Sequence, residues 1–182
     1  MKIKLPYTIS SGGEKLTFER IIVKDGVEML EGYAEVKPKA GPPMHIHYKQ
    51  DEIFEILSGK MAYQLADGIT RYAYPGDTVI AKAGVAHKFW NDGDDMLICK
   101  GYVTPPDNFI YFLSEIYKSI NENKEGRPGL YDSAYLLDRY KSEYDMTEIP
   151  SFARKFIFPI VLFFGNLLGK DKKFSGAPNP VL

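Results

Sequence analysis

The chain has three histidines, and two of them, His45 and His47, stand one residue apart, with Glu52 five residues further on. In an extended strand alternate side chains share a face, so both imidazoles of His45-Ile46-His47 point the same way. Glu52 opens the next strand after a short turn through Tyr48, Lys49, Gln50 and Asp51, which returns its carboxylate to the same place. The third histidine, His87, lies late in the strand-rich segment PGDTVIAKAGVAHKFWN. A compact β-barrel can bring it across to the other three. Neutral imidazoles with one carboxylate suit a divalent transition metal (Fe, Mn, Ni, Cu, Co or Zn), whereas calcium takes more oxygen. A strand histidine also serves as a hydrogen-bonded structural residue, and Glu52 alone reads as a solvated one, so spacing by itself leaves both readings open.

The elements that must position these residues are strands. Runs such as EKLTFERIIV, VEMLEGYAEV, EIFEIL, KMAYQLA, DTVIAK and MLICKGYV are rich in β-branched and aromatic residues, the types that fit a pleated surface. Between them stand Ser11-Gly12-Gly13, Asp25-Gly26, Ser58-Gly59, Asp67-Gly68, Pro75-Gly76-Asp77 and Asn91-Asp92-Gly93. Glycine and Asx residues tolerate the backbone of tight hairpins, so the rhythm predicts an antiparallel sandwich or barrel. After Pro105-Pro106 the period changes. Phe109, Ile110, Phe112, Leu113, Ile116, Tyr117 and Ile120 follow helical spacing, with Asp107 or Asn108 as N-cap. A second helix is expected over residues 130–142, the most apolar stretch of the chain covers 152–169, and residues 174–182 read as a loose tail. The expected organisation is a mainly β domain over residues 1–105 and an α-helical extension over 106–182.

At its histidines the chain resembles the cupin superfamily, the single-domain type with a conserved barrel. His45-Ile46-His47, four residues, Glu52, six residues and Gly59 match the first cupin motif after its opening glycine, where Lys39 stands with Gly41 nearby. Gly76, Gly84, His87 and Asn91 match the second motif, with Lys82 in place of its proline. The resemblance covers about residues 30–103. It implies a jelly-roll β-barrel in which His45, His47, Glu52 and His87 are the four metal ligands, similar to the site of quercetin-type dioxygenases. Four ligands leave open positions for Lewis-acid or redox chemistry. The expected function is a metal-dependent, dioxygenase-like oxidoreductase for a small oxygenated or aromatic molecule; the alternative is a non-catalytic small-ligand-binding module with a structural or sensing metal. Metal-dependent isomerisation or decarboxylation is a third option, the latter favouring Arg71 or Lys100 in the cavity. Glu52 and Tyr63 are the candidate catalytic groups, as base and as a hydroxyl that orients or protonates substrate. Met44, Phe54, Met61, Tyr63 and Phe89 are candidates for an apolar lining.

Composition narrows the partners. A formal net charge of −1 with 26% charged residues gives no general pull toward nucleic acid or an anionic membrane. One cysteine, Cys99, excludes an intrachain disulfide, and the first residues lack the apolar core of a secretion signal, so the expected location is the cytoplasm. The apolar run from Phe156 to Leu168 holds Pro159 and Asn166 and is short of the roughly 20 residues that cross a bilayer. Lysines flank it as in an interfacial anchor, but packing over the barrel or across a homodimer interface is the preferred reading.

Overall fold

The protein is described by a computed structural model over residues 3–182. Among the described residues it is mostly strand: β1 (Tyr7–Ser11), β2 (Glu14–Lys24), β3 (Val27–Val36), β4 (His45–His47), β5 (Asp51–Ser58), β6 (Met61–Leu65), β7 (Thr70–Ala73), β8 (Thr78–Ala81), β9 (His87–Asn91) and β10 (Leu97–Thr104). Then come α1 (Phe109–Glu122), α2 (Leu130–Arg139), β11 (Tyr144–Met146) and α3 (Phe158–Leu167). Two antiparallel sheets face each other as a jelly-roll barrel, one in the order β1-β2-β3-β10-β5-β8 and the other β11-β4-β9-β6-β7.

Alternation along the strands decides what points inward. In β5, Glu52, Phe54 and Ile56 are buried, and in β9, His87, Phe89 and Asn91. Motif residues other than the histidines hold the barrel's backbone. Asn91 donates from its amide to the carbonyls of Val36 and Asp95 and accepts from the Gly93 N–H, and a Cβ on Gly59 (φ +84°) would lie 2.8 Å from Leu97 Cα. Lys39, standing where the motif has glycine, adopts φ +66°. The left-handed backbone is therefore kept without the residue that adopts it at no steric cost.

The inner face of the six-stranded sheet is covered in two different ways. Ala34, Val36, Ile56, Leu97 and Cys99 meet Met61, Ala73 and Phe89 of the second sheet in one core. Ile9, Phe18, Leu30 and Val103 instead meet Phe109, Phe112, Leu137 and Tyr140 of the helical extension in another.

The extension differs from its sequence reading in three details. Asn108 stands at the N-cap of α1, but its side chain donates to Glu143 Oε1 and the Asn179 carbonyl instead of capping. Helix α2 stops at Arg139, short of 142, because Tyr140–Glu143 turns the chain into β11, which pairs with β4. The tail is docked: its carbonyls accept hydrogen bonds from Arg139, Tyr140 and Ser142. The apolar stretch forms a π-helical turn over Ala153–Ile157 followed by α3. Phe158 and Gly165 face inward, Gly165 lying so close to the Tyr131 ring that no Cβ would fit. Phe156, Ile160, Phe163, Phe164, Leu167 and Leu168 are exposed. No helix among the described residues is long and apolar enough to cross a membrane.

Candidate metal centre

The four residues singled out by their spacing come together. β4 lies between β9 and β11, with His45 opposite His87 on one side and His47 opposite Tyr144 on the other. Glu52 reaches them from the facing sheet. Each of the four offers a ligand atom, and these atoms lie within 4.8 Å of one another. Histidine ring centroids are 4.3 to 5.3 Å apart, and Glu52 Oε2 is 3.0 Å from His87 Nε2 and 3.9 Å from His47 Nε2.

Hydrogen bonds outside the cluster fix which ring nitrogen faces in. His45 Nδ1 is 2.8 Å from the Pro43 carbonyl, and His87 Nδ1 is 2.9 Å from the Val85 carbonyl. A carbonyl can only accept, so Nδ1 carries a hydrogen in both rings and Nε2 is the atom turned toward the centre, where that of His87 also hydrogen-bonds the Glu52 carboxylate. Orientation of a ligating imidazole through its other nitrogen is a common feature of metal sites. The donor set, three imidazoles and one carboxylate around a common point, fits a divalent transition metal.

Burial works against charge on the rings. It pushes His45 down to about 3, helped by the neighbouring His47 and His87, and it lowers His47. Burial also opposes ionisation of Glu52, but His47 and the hydrogen-bonded His87 outweigh it and hold the carboxyl down to about 2. For His87 burial opposes the proton, yet the Glu52 hydrogen bond and charge raise it overall. Two rings held neutral beside an ionised carboxylate are the states that metal binding requires, and an arriving ion displaces the proton that His87 shares with Glu52.

The centre opens into a cavity of about 520 Å³ between the six-stranded sheet and the helical extension, with His45, His47 and Glu52 in its wall. Of the expected apolar lining, Phe54 and Phe89 are there. Met61 and Tyr63 share the inward face of β6 but belong to the core between the sheets, Tyr63 opposite Phe89, so neither lines the cavity. Met44 precedes β4 and is tied by its carbonyl to Thr147, also outside the lining. Period-two alternation tells inward from outward but not which half of an inner face a residue meets. Arg71 is paired with Asp67 and Lys100 with Glu31, both away from the cavity. Lys82 pairs at 2.7 Å with Asp51, whose other oxygen accepts the Ala83 N–H, and so anchors the start of β5 beside Glu52.

The sequence reading missed Glu14, Tyr117 and Tyr144, all in the cavity wall. Tyr117 lies on the apolar stripe of α1, which was the available signal. Tyr144 packs edge-on against His47, with ring centroids 5.4 Å apart. Glu14, just after a glycine turn, looked like any solvated hairpin residue.

Residues 32–100 match the family model for the cupin domain. The protein named Probable oxidoreductase virH, from Hypocrea virens (strain Gv29-8 / FGSC 10586), is 31% identical over 68 residues, covering 36% of this chain. The match spans only 31% of that protein's length. Among solved structures, KdgF from Halomonas sp. is similar with 18% identity and a TM-score of 0.46, covering 54% of this chain and 85% of that one. The capsular polysaccharide assembling protein CapF from Staphylococcus aureus gives 18% identity and a TM-score of 0.47, covering 53% and 29% respectively. The Schizosaccharomyces pombe Cnp3 cupin domain gives 19% and 0.42, covering 49% and 64%.

Proposed function

This chain carries a cupin domain over residues 32–100, and from that premise we propose that it is a metal-dependent, dioxygenase-like oxidoreductase acting on a small, largely apolar oxygenated molecule. The observation that supports this reading is the convergence of three imidazoles and Glu52, of which His45, His47 and Glu52 stand in the wall of a cavity otherwise lined by groups such as Leu30, Phe54, Phe112 and Ile116. The partial match to a protein named as an oxidoreductase agrees with it.

A divalent transition metal held by His45, His47, Glu52 and His87 supplies Lewis acidity and, where the ion is redox-active, electrons. The chain's own groups do the rest. The apolar walls exclude water and strengthen every polar contact within. Glu52 is the candidate proton acceptor, since its carboxyl is ionised and reaches the cavity. Tyr63 has no part in this scheme, because its ring lies in the core between the sheets.

Oxygen uptake by iron-, manganese- or nickel-loaded protein across flavonoids, diketones and phenols tests the reading. Substrate-dependent uptake that disappears in Glu52→Gln is the expected result. No uptake with any metal and substrate would leave the non-catalytic binding module in its place. The same reading takes the protein as a cytoplasmic homodimer. Its single thiol is buried, as suits a reducing compartment, and the exposed apolar face of α3 is the dimer contact.

A further inference from the structure

Within the apolar cavity, three polar groups stand apart from the histidine cluster. They meet at the β1–β2 hairpin, three strands across the sheet from Glu52. Glu14 Oε2 accepts a short hydrogen bond from the Tyr117 hydroxyl of α1. Its other oxygen, Oε1, is buried without a protein partner among the described residues, and so is Ser11 Oγ. Ser11, Glu14 and Tyr117 all line the cavity.

Helix α1 fixes this arrangement. Tyr117 and Asn121 lie one turn apart, and Asn121 donates to the Ser10 carbonyl at 2.9 Å. The helix is thereby fastened to the hairpin at two adjacent points. Burial raises the Glu14 carboxyl above its ordinary range, against the pull of the Tyr117 hydrogen bond and with some help from the charge of Glu52.

A buried polar atom in an apolar wall costs free energy unless it is hydrogen-bonded, so two unfilled ones on Ser11 and Glu14, residues paired directly across the hairpin, mark a place where a ligand's polar group fits. Serine can donate or accept, and a carboxyl oxygen accepts. One hydroxyl satisfies both, donating to Glu14 Oε1 while accepting from Ser11 Oγ. We propose that Ser11, Glu14 and Tyr117 form a hydroxyl-recognition subsite, so that the cavity's ligand has an apolar body, a metal-binding oxygen group and a second, separate hydroxyl. This rests on the metal-anchored reading above. Tyr117 is a positioning residue, occupying Glu14 Oε2 so that Oε1 is the oxygen left without a partner.

The test uses straight-chain carboxylic acids as probes, each paired with its ω-hydroxy counterpart, spanning roughly six to twelve carbons to suit a pocket of this size. The carboxylate serves as the metal-binding end. Calorimetric titration of the zinc-loaded full chain is expected to show one length at which the ω-hydroxy acid binds about 5- to 10-fold more tightly, the yield of one buried hydrogen bond. In Glu14→Met that ratio falls to about 1, and Ser11→Ala, a one-atom change that keeps the fold, cuts it about threefold. Equal, chelator-sensitive affinity within every pair, or a hydroxyl preference that survives both substitutions, overturns the subsite. A larger gain for ω-amino acids than for ω-hydroxy acids also overturns it, showing a cation site instead. Binding of both acids that a chelator leaves unchanged overturns the metal-anchored reading separately, and no binding by any acid overturns both.

Discussion

The inner face of the six-stranded sheet is covered by a second sheet along one half and by helices along the other, and the two halves have different outcomes. Under the second sheet, alternating side chains from both layers interdigitate. Met61, Leu97, Cys99 and Val36 are fully buried there, as two sheets about 10 Å apart allow. Under the helices, cylinders lie over a twisted surface and leave the 520 Å³ cavity. The histidine cluster sits on the seam, with Glu52 opposite Val103 in the six-stranded sheet and His45 and His87 opposite each other in the second. The contrast teaches that this barrel fills itself only in part. Its site belongs to the part that the extension completes, through α1 and through β11 beside β4.

Stability measurements can break this contrast. Leu97→Ala, in the closed half, is expected to cost about 3–5 kcal/mol in urea unfolding of the metal-free protein. Ile116→Ala, on the cavity wall, costs about 1 kcal/mol, because the wall already faces open space and loses fewer contacts. Equal losses would mean that the two halves are packed alike.

Acid sharpens the role of the seam. His45 and His47 are held below their ordinary values, so below pH 6.5 the unfolded chain takes up protons that the folded one refuses. Each therefore removes about 1.4 kcal/mol per pH unit as pH falls from 6.5, for His45 down to about 3. Glu52 is held down as well, and its stabilisation, full above 4.5, is lost between 4.5 and about 2. His87 acts the other way: raised in the fold, it stabilises below 6.5 and loses that contribution as pH rises through its folded value. Urea midpoints of the metal-free protein are expected to fall between pH 6.5 and 4.5, and less steeply in His45→Asn. A flat profile would place the rings in a more solvated setting.

The smallest stability effect belongs to α3. Phe163→Ser on its exposed face changes the monomer's unfolding free energy by no more than about 0.5 kcal/mol. The same substitution is expected to shift the mass in sedimentation equilibrium from two chains to one. A variant that keeps the wild-type mass removes α3 as the dimer contact.

The legible parts of this chain were those written locally. Strand runs between glycine turns pointed to a sandwich or barrel, the stripe from Phe109 to Ile120 pointed to α1, and the spacing of His45, His47, Glu52 and His87, once joined to the resemblance to the cupin motifs, pointed to the metal cluster. The cavity was not legible, because it depends on how distant elements meet. β11 is a three-residue strand, too short for any period to show, and only its pairing with β4 places Tyr144 against His47. Glu14 acquires meaning only once α1 lies across the hairpin. Met61 and Tyr63 were expected to line a cavity, but alternation along β6 could not tell that the core shared with the six-stranded sheet, and not the cavity, lies over them.

The central claim is that these four residues hold a metal, and elemental analysis tests it most directly. After loading with manganese, iron or zinc and removal of free ions, the wild-type chain is expected to retain about one ion per chain, and His47→Ala/His87→Ala less than about a tenth of that. Retention by the double variant at the wild-type level, or none by the wild type with any of the three metals, would contradict the account.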